Sequence, residues 1–281
     1  MMPLLTMKKR QNLAMLLRYV FIIVFAAFAL FPIYEMVATS LKNEVDAFSI
    51  PPKWVFLPTF KNYQEVLFEG KFFTYFYNSI FVALTATVLS VAAGALGAYS
   101  LARFKFKGKK LVVIGTLLMR MVPPVILVVP IFLLYNQLGV TNARMSLALV
   151  YVALNLPFNI WVLRTFIMEV PKELEESAQM DGCSHMMTFR RIILPLIAPG
   201  LSVASIFTFR ISWNEFILSL VLTNRNTRTL PVAVSLFLTD TGTEWGKITA
   251  IATIIAIPAF IFTFTAAKSL IMGLTAGAVK G

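Results

Sequence analysis

Six almost unbroken apolar stretches, each long enough to cross a lipid bilayer, constrain this chain more than any other feature. They are Leu16–Ala38, Tyr75–Ala102, Leu111–Tyr135, Met145–Phe166, Leu196–Leu222 and Ile248–Ile271. A helix needs about 20 mostly apolar residues to traverse the hydrocarbon core, where its backbone polar groups must be satisfied within the segment itself. The strands of a membrane barrel would alternate over about ten residues, and none of these stretches does. The expected fold class is therefore all-α, a polytopic membrane protein with six transmembrane helices. Composition agrees: 58% of the 281 residues are hydrophobic and 14% charged, against roughly 25% charged in a soluble domain. One membrane domain over 1–281 is expected, with an N-terminal segment 1–15, a six-helix region 16–271 interrupted by a long loop at 167–195, and a tail at 272–281. Lys8, Lys9 and Arg10 precede the first stretch as in a signal peptide, but Leu16–Ala38 is too long for a signal core and lacks a clear cleavage site.

Charge sets the orientation. Of 25 lysines and arginines, fifteen fall on the same side as the N-terminus and eight on the other, while Arg120 and Arg210 lie inside spans. The short loop carrying Arg103, Lys105, Lys107, Lys109 and Lys110 decides the matter, since basic residues stay cytoplasmic. Both termini are expected in the cytoplasm. The formal charge of +12 is thus accounted for by loops that face a membrane, and with no basic helix or stacking platform it does not point to nucleic acid.

Several chemistries are excluded. A single cysteine (Cys183) and a single histidine (His185) form neither a disulfide framework nor a zinc cluster. No phosphate-binding loop exists either: Gly242 and Gly246-Lys247 have the wrong spacing and are followed by Ile248. On the outer side, Phe60–Phe68 is amphipathic and reads as a helix lying on the membrane surface. Small residues at 92–98 allow another helix to approach closely. Prolines 123, 124, 130, 157 and 258 fall within spans, and the Pro123-Pro124 pair beside Arg120 marks a kink.

The cytoplasmic loop is the most informative segment. Pro171–Gly182 reads as a short helix, with acidic residues complementing its N-terminal dipole and Gly182 ending it. Ser184 is a suitable N-cap for a second piece through Arg191. The pattern Glu176-Ser177-Ala178, Gly182, Ile192, Leu194-Pro195 resembles the cytoplasmic motif of permeases of ATP-binding-cassette importers: Glu-Ala-Ala, three residues, Gly, nine residues, Ile, one residue, Leu-Pro. Ser177 in place of the first alanine is the one departure. Asn78-Ser79, Tyr99–Arg103, Trp213-Asn214-Glu215-Phe216 and the tail Gly273–Gly281 resemble the carbohydrate-uptake, maltose-type group, in particular its second, six-span permease. The resemblance implies a type I importer permease fold in a bacterial inner membrane and a heterodimer with another permease. It also implies two cassette ATPases, which bind the ATP and magnesium, and an extracytoplasmic substrate-binding protein. The motif would be a coupling helix seated in an ATPase cleft, the tail would reach the interface between the ATPases, and the loop 223–246 would probe the binding protein. No cofactor is expected in this chain, and no catalysis.

Glu35, Arg120, Arg210 and Glu215 fall inside spans, where ionisable groups are costly and usually face an interior or a watery path. The arginines are expected either to pair with those carboxylates or to attract an anionic solute such as an acidic or sulfonated sugar. Asn214 and Glu215 join them as candidate pathway residues. Asn155 and Asn159, one turn apart, either line the path as well or bind helices together. A six-span, ion-coupled secondary transporter is the competing class, relying on its own broken helices and carboxylates. The cytoplasmic motif argues against it.

Overall fold

A computed structural model describes the backbone of residues 2–239 and 242–278, with side chains over 12–68, 70–237 and 243–265. Regular structure is helical except for a two-residue antiparallel pair, β1 (Leu238–Thr239) with β2 (Gly242–Thr243). Among the described residues, four helices are apolar and long enough to cross a membrane alone: α1 (Met2–Ser40), α4 (Phe72–Arg103), α7 (Arg144–Glu169) and α14 (Trp245–Ala278). Val279, Lys280 and Gly281, which close the family-like tail, lie outside the described residues.

The third and fifth expected spans are not continuous helices. Helix α5 (Lys109–Met121) turns by 93° into a 3-10 turn (Pro124–Leu127) and α6 (Val128–Gln137). Pro123 and Pro124 lack N–H groups, and Val122, which precedes a proline, is pushed to extended angles (φ −75°, ψ 119°). At the fifth, the segment His185–Leu196 meets α11 (Ala198–Trp213) at 78°. Pro199 stands in the first turn of α11, where its missing N–H is harmless to the new helix but ends the old one. A further interruption at Asn214–Phe216 separates α11 from α12 (Ile217–Leu222). By contrast Pro157 and Pro258 sit inside unbroken helices.

Two compact units are distinguished. The first comprises Met1–Gly70 with Phe237–Ile254. In it α2 (Glu44–Ala47) is capped by the Asn43 side chain, which accepts from the Asp46 N–H at 2.8 Å. The amphipathic Phe60–Phe68 stretch forms α3 (Lys61–Gln64) and a π turn (Glu65–Glu69), with Val66 buried beneath them. Asn62 donates to the carbonyls of Ser40 and Lys42, each at 2.9 Å, satisfying acceptors that the end of α1 leaves free.

The second unit is Lys71–Leu236 with Ile255–Gly281. Helix α4 is its axis, flanked by α7 and α11, with α13 (Leu230–Val234) against its N-terminal part. Gly94, in the middle of the small-residue stretch, brings α4 against Asn159 of α7. Among the described residues, two apolar clusters pack the unit. One gathers Val82, Ala86, Leu147, Tyr151 and Leu218; the other gathers Val91, Ala98, Tyr99, Leu163, Ile167, Phe189 and Ile193. The family-like pair Asn78-Ser79 ties the 223–230 loop to α4. Asn78 donates to the carbonyls of Asn226 and Arg228, both at 2.9 Å, and Ser79 accepts from the Leu230 N–H at 2.7 Å.

Candidate functional site

The loop after α7 folds as α8 (Glu173–Met180), α9 (His185–Thr188), a π turn (Phe189–Ile193) and the short α10 (Leu194–Leu196). Helix α8 begins two residues later than expected from Pro171. It ends in a Schellman turn, in which Cys183 N–H bonds to Ala178 O at 2.9 Å and Gly182 N–H to Gln179 O at 3.0 Å. Gly182 has φ +83° and open space where a side chain would begin, so the left-handed turn, not crowding within this chain, requires glycine. Ser184 caps α9 by accepting from Met187 N–H.

The motif residues divide by face. Glu176, Ser177, Gly182 and Pro195 are exposed, Ala178 is buried, and Ile192 and Leu194 are half-buried, Leu194 packing against the Tyr99 cluster. Leu174 and Met180, the latter 89% exposed, join Glu176 and Ser177 on the outer face of α8. An apolar and acidic knob with a tight glycine turn is thereby presented to solvent.

One acid of α8 turns inward. Glu175 is buried, accepts from the Tyr99 hydroxyl at 2.9 Å and pairs with Arg103 Nε. Arg103 also donates to Val170 O at 2.7 Å, just past the end of α7. Sequence reasoning assigns Glu175 only to the dipole of α8, because nothing local reveals a partner 72 residues away.

The candidate pathway residues separate into three places. Arg120, Asn155 and Glu215 line a recess of about 300 Å³ at the Pro123-Pro124 break, together with Tyr151, Ser212 and Ile211. Asn159 is fully enclosed elsewhere, donating to Ser90 Oγ at 3.0 Å and accepting from Thr208 Oγ1 at 2.9 Å, so it binds α4, α7 and α11 together. Arg210 and Asn214 are exposed but do not line the recess; Asn214 donates to the Arg210 carbonyl at 2.9 Å.

Within this unit and among the described residues, neither arginine forms an ion pair. The spans are broken, so neither arginine is in mid-helix. Arg120 stands in the last turn of α5 and Arg210 in the last turn of α11, where the helix dipole favours a cation. Arg120 also stacks over the Phe158 ring, 4.5 Å from its centroid. Glu215 occupies the complementary position before α12. Its carboxylate accepts from the N–H groups of Leu218 and Ser219 and from the Tyr151 hydroxyl at 2.6 Å. Of the two alternatives expected for the arginines, pairing with Glu215 is not formed in this unit; helix termini compensate all three charges, so an anionic solute is not required to account for them.

Residues 90–272 match the family model described as the binding-protein-dependent transport system inner membrane component. The chain belongs to that family. This permease is 40% identical over 255 residues to the diacetylchitobiose uptake system permease protein DasC of Streptomyces coelicolor, covering 89% of this chain and 92% of the relative. It is 37% identical over 259 residues to the trehalose transport system permease protein SugB of Mycobacterium tuberculosis, with 90% and 93% covered. A chain of a bacterial importer of the acidic polysaccharide alginate superposes with a TM-score of 0.76 at 21% identity, over 92% of the permease and 97% of that chain. The fold is that of type I importer permeases, and the permease is a multi-pass membrane component of a binding-protein-dependent transport system.

Proposed function

We propose that this permease forms half of the translocation path of an ATP-driven importer for a carbohydrate delivered by an extracytoplasmic binding protein. A second permease would complete the path, and two ATPase subunits would bind ATP and magnesium and perform the hydrolysis; this chain would have no catalytic role. Both termini would be cytoplasmic. The observation that carries the reading is the α8 knob: an exposed face of Leu174, Glu176, Ser177 and Met180, closed by the Gly182 turn and fixed to the membrane helices from behind. Such a surface suits a cleft on an ATPase. DasC and SugB, named for sugar uptake, support a carbohydrate solute.

Within the path, the recess at the α5 break would meet the solute. Arg120 offers donors and Glu215 an acceptor, the Phe158 and Tyr151 rings flank them, and Asn155 supports the wall by donating to Tyr151 O and Ser212 Oγ. The test is uptake into proteoliposomes holding the permease, its partner permease and the ATPases, with the binding protein outside. Sugar accumulation should require ATP on the ATPase side. Accumulation driven by an ion gradient without ATP would overturn the reading.

A further inference from the structure

We infer that Glu175, Arg103 and Tyr99 form a positioning clamp that makes α8 move as one body with α4 and the end of α7. The inference rests on the proposed docking of α8 to an ATPase. An exposed helix of eight residues would otherwise be joined to the membrane region only through its flanking loops, and a push on it would be lost in bending. The clamp removes that slack. Both Glu175 oxygens are engaged, one by Arg103 Nε and the other by the Tyr99 hydroxyl, while the far side of the guanidinium holds Val170 O.

The side chains are nearly enclosed: Arg103 is 9% and Glu175 6% exposed. An ion pair this deep is weak evidence for stability, because desolvation offsets much of the attraction. Its three directed bonds instead define a geometry. Tyr99 is itself fixed by apolar packing. Its ring lies 5.0 Å from that of Phe189, in the π turn that follows α9, and edge-on to Phe104 at 5.8 Å; Phe104 in turn meets His185 of α9 at 5.2 Å. Both halves of the docking loop are therefore referenced to the same three residues at the end of α4, Tyr99, Arg103 and Phe104.

A clamp predicts a phenotype distinct from misfolding. Glu175→Gln and the milder Tyr99→Phe should leave the importer assembled and its ATPase active. They should raise the ATP hydrolysed per solute imported about ten-fold or more, on the scale of one lost hydrogen bond to a charged group. Tyr99→Phe removes a single hydroxyl, and keeps the test decisive if Glu175→Gln lowers the yield of folded complex. An unchanged ATP-to-solute ratio in assembled Tyr99→Phe and Glu175→Gln importers would overturn the clamp. Docking itself is read separately, by cross-linking Met180→Cys in a Cys183→Ser background to the ATPase. Loss of that cross-link in an otherwise unaltered permease would overturn the docking proposal, whereas a retained cross-link with an unchanged ratio overturns only the clamp.

Discussion

Gly94 lies so close to Asn159 that a side chain begun on the glycine would place its Cβ 2.6 Å from the asparagine's own Cβ. The two helices can approach this far only because one of them has no side chain at that level, and the approach sets Asn159 between Ser90 and Thr208. Gly94→Val should therefore separate α4 from α7 and break both hydrogen bonds. A loss of about 1–3 kcal/mol is expected from overpacking alone, seen as a lowered unfolding midpoint of the detergent-solubilised complex. A midpoint equal to that of the parent would show that α7 shifts without penalty.

Gly182→Val should act without any steric clash. A β-branched residue held at φ +83° carries a strain of roughly 1–2 kcal/mol, enough to unwind the Schellman turn and reorient α9. The permease should insert normally but retain less ATPase through purification. Gly182→Asn, which tolerates the left-handed region better, should lie between the two. Equal retention by all three proteins would remove the turn from the docking surface.

How much of this was legible in the sequence depends on distance along the chain. The glycine turn and the Ser184 cap follow from neighbouring residues, so local reasoning reaches them. Apolarity locates spans but carries no direction, and the 78° bend before α11 and the interruption at Asn214–Phe216 are therefore invisible to it. Once the interruption at Asn214–Phe216 is missed, Arg210 looks stranded in mid-helix; the Pro123-Pro124 kink beside Arg120 is legible, but not that it turns the chain by 93° and leaves Arg120 at a helix end. Pairings such as Arg103 with Glu175, 72 residues apart, depend on tertiary approach that no local pattern encodes. The charge balance of the loops, by contrast, is a whole-chain property and is read directly.

Orientation can be measured with a reporter active only outside the cytoplasm. Fusions after Lys107 or Met180 should be silent, and fusions after Lys53 or Arg228 active. The reverse pattern would invert the topology and place α8 on the wrong side for an ATPase.

Arg120→Gln and Arg120→Lys separate two roles of this arginine. The charge at the end of α5 is kept by lysine, but the planar stacking on Phe158 is not. If Arg120 contacts solute in the recess, both substitutions should raise the concentration for half-maximal transport while assembly and basal ATPase activity persist. If it only balances the helix dipole, an effect of about 0.3–1 kcal/mol, lysine should restore parental transport. Arg210→Gln, outside the recess, should leave that concentration unchanged in either case.

In the first unit, Lys247 donates toward Glu65 across 3.0 Å, and this hydrogen bond holds the Glu65 carboxyl below its ordinary value of 4.5. A carboxylate depressed in the folded state contributes stability above its unfolded value and loses it as pH falls through the folded one. The parent should thus exceed Lys247→Met in stability by about 0.2–1 kcal/mol near neutrality, with the gap closing as the pH drops below the ordinary carboxylate range. A gap that persists in acid would assign the difference to packing of the lysine stem.

The bonds from Asn78 to Asn226 and Arg228 can form only late in synthesis. They join positions 148 and 150 residues apart, and at roughly 5–20 residues per second the ribosome needs on the order of 8–30 s to supply the second partner. Throughout that interval the N-terminal part of α4 holds an asparagine and a serine whose native partners have not yet been synthesised. Every nascent chain passes through this stage, and chains that stop short of the 223–230 loop remain in it.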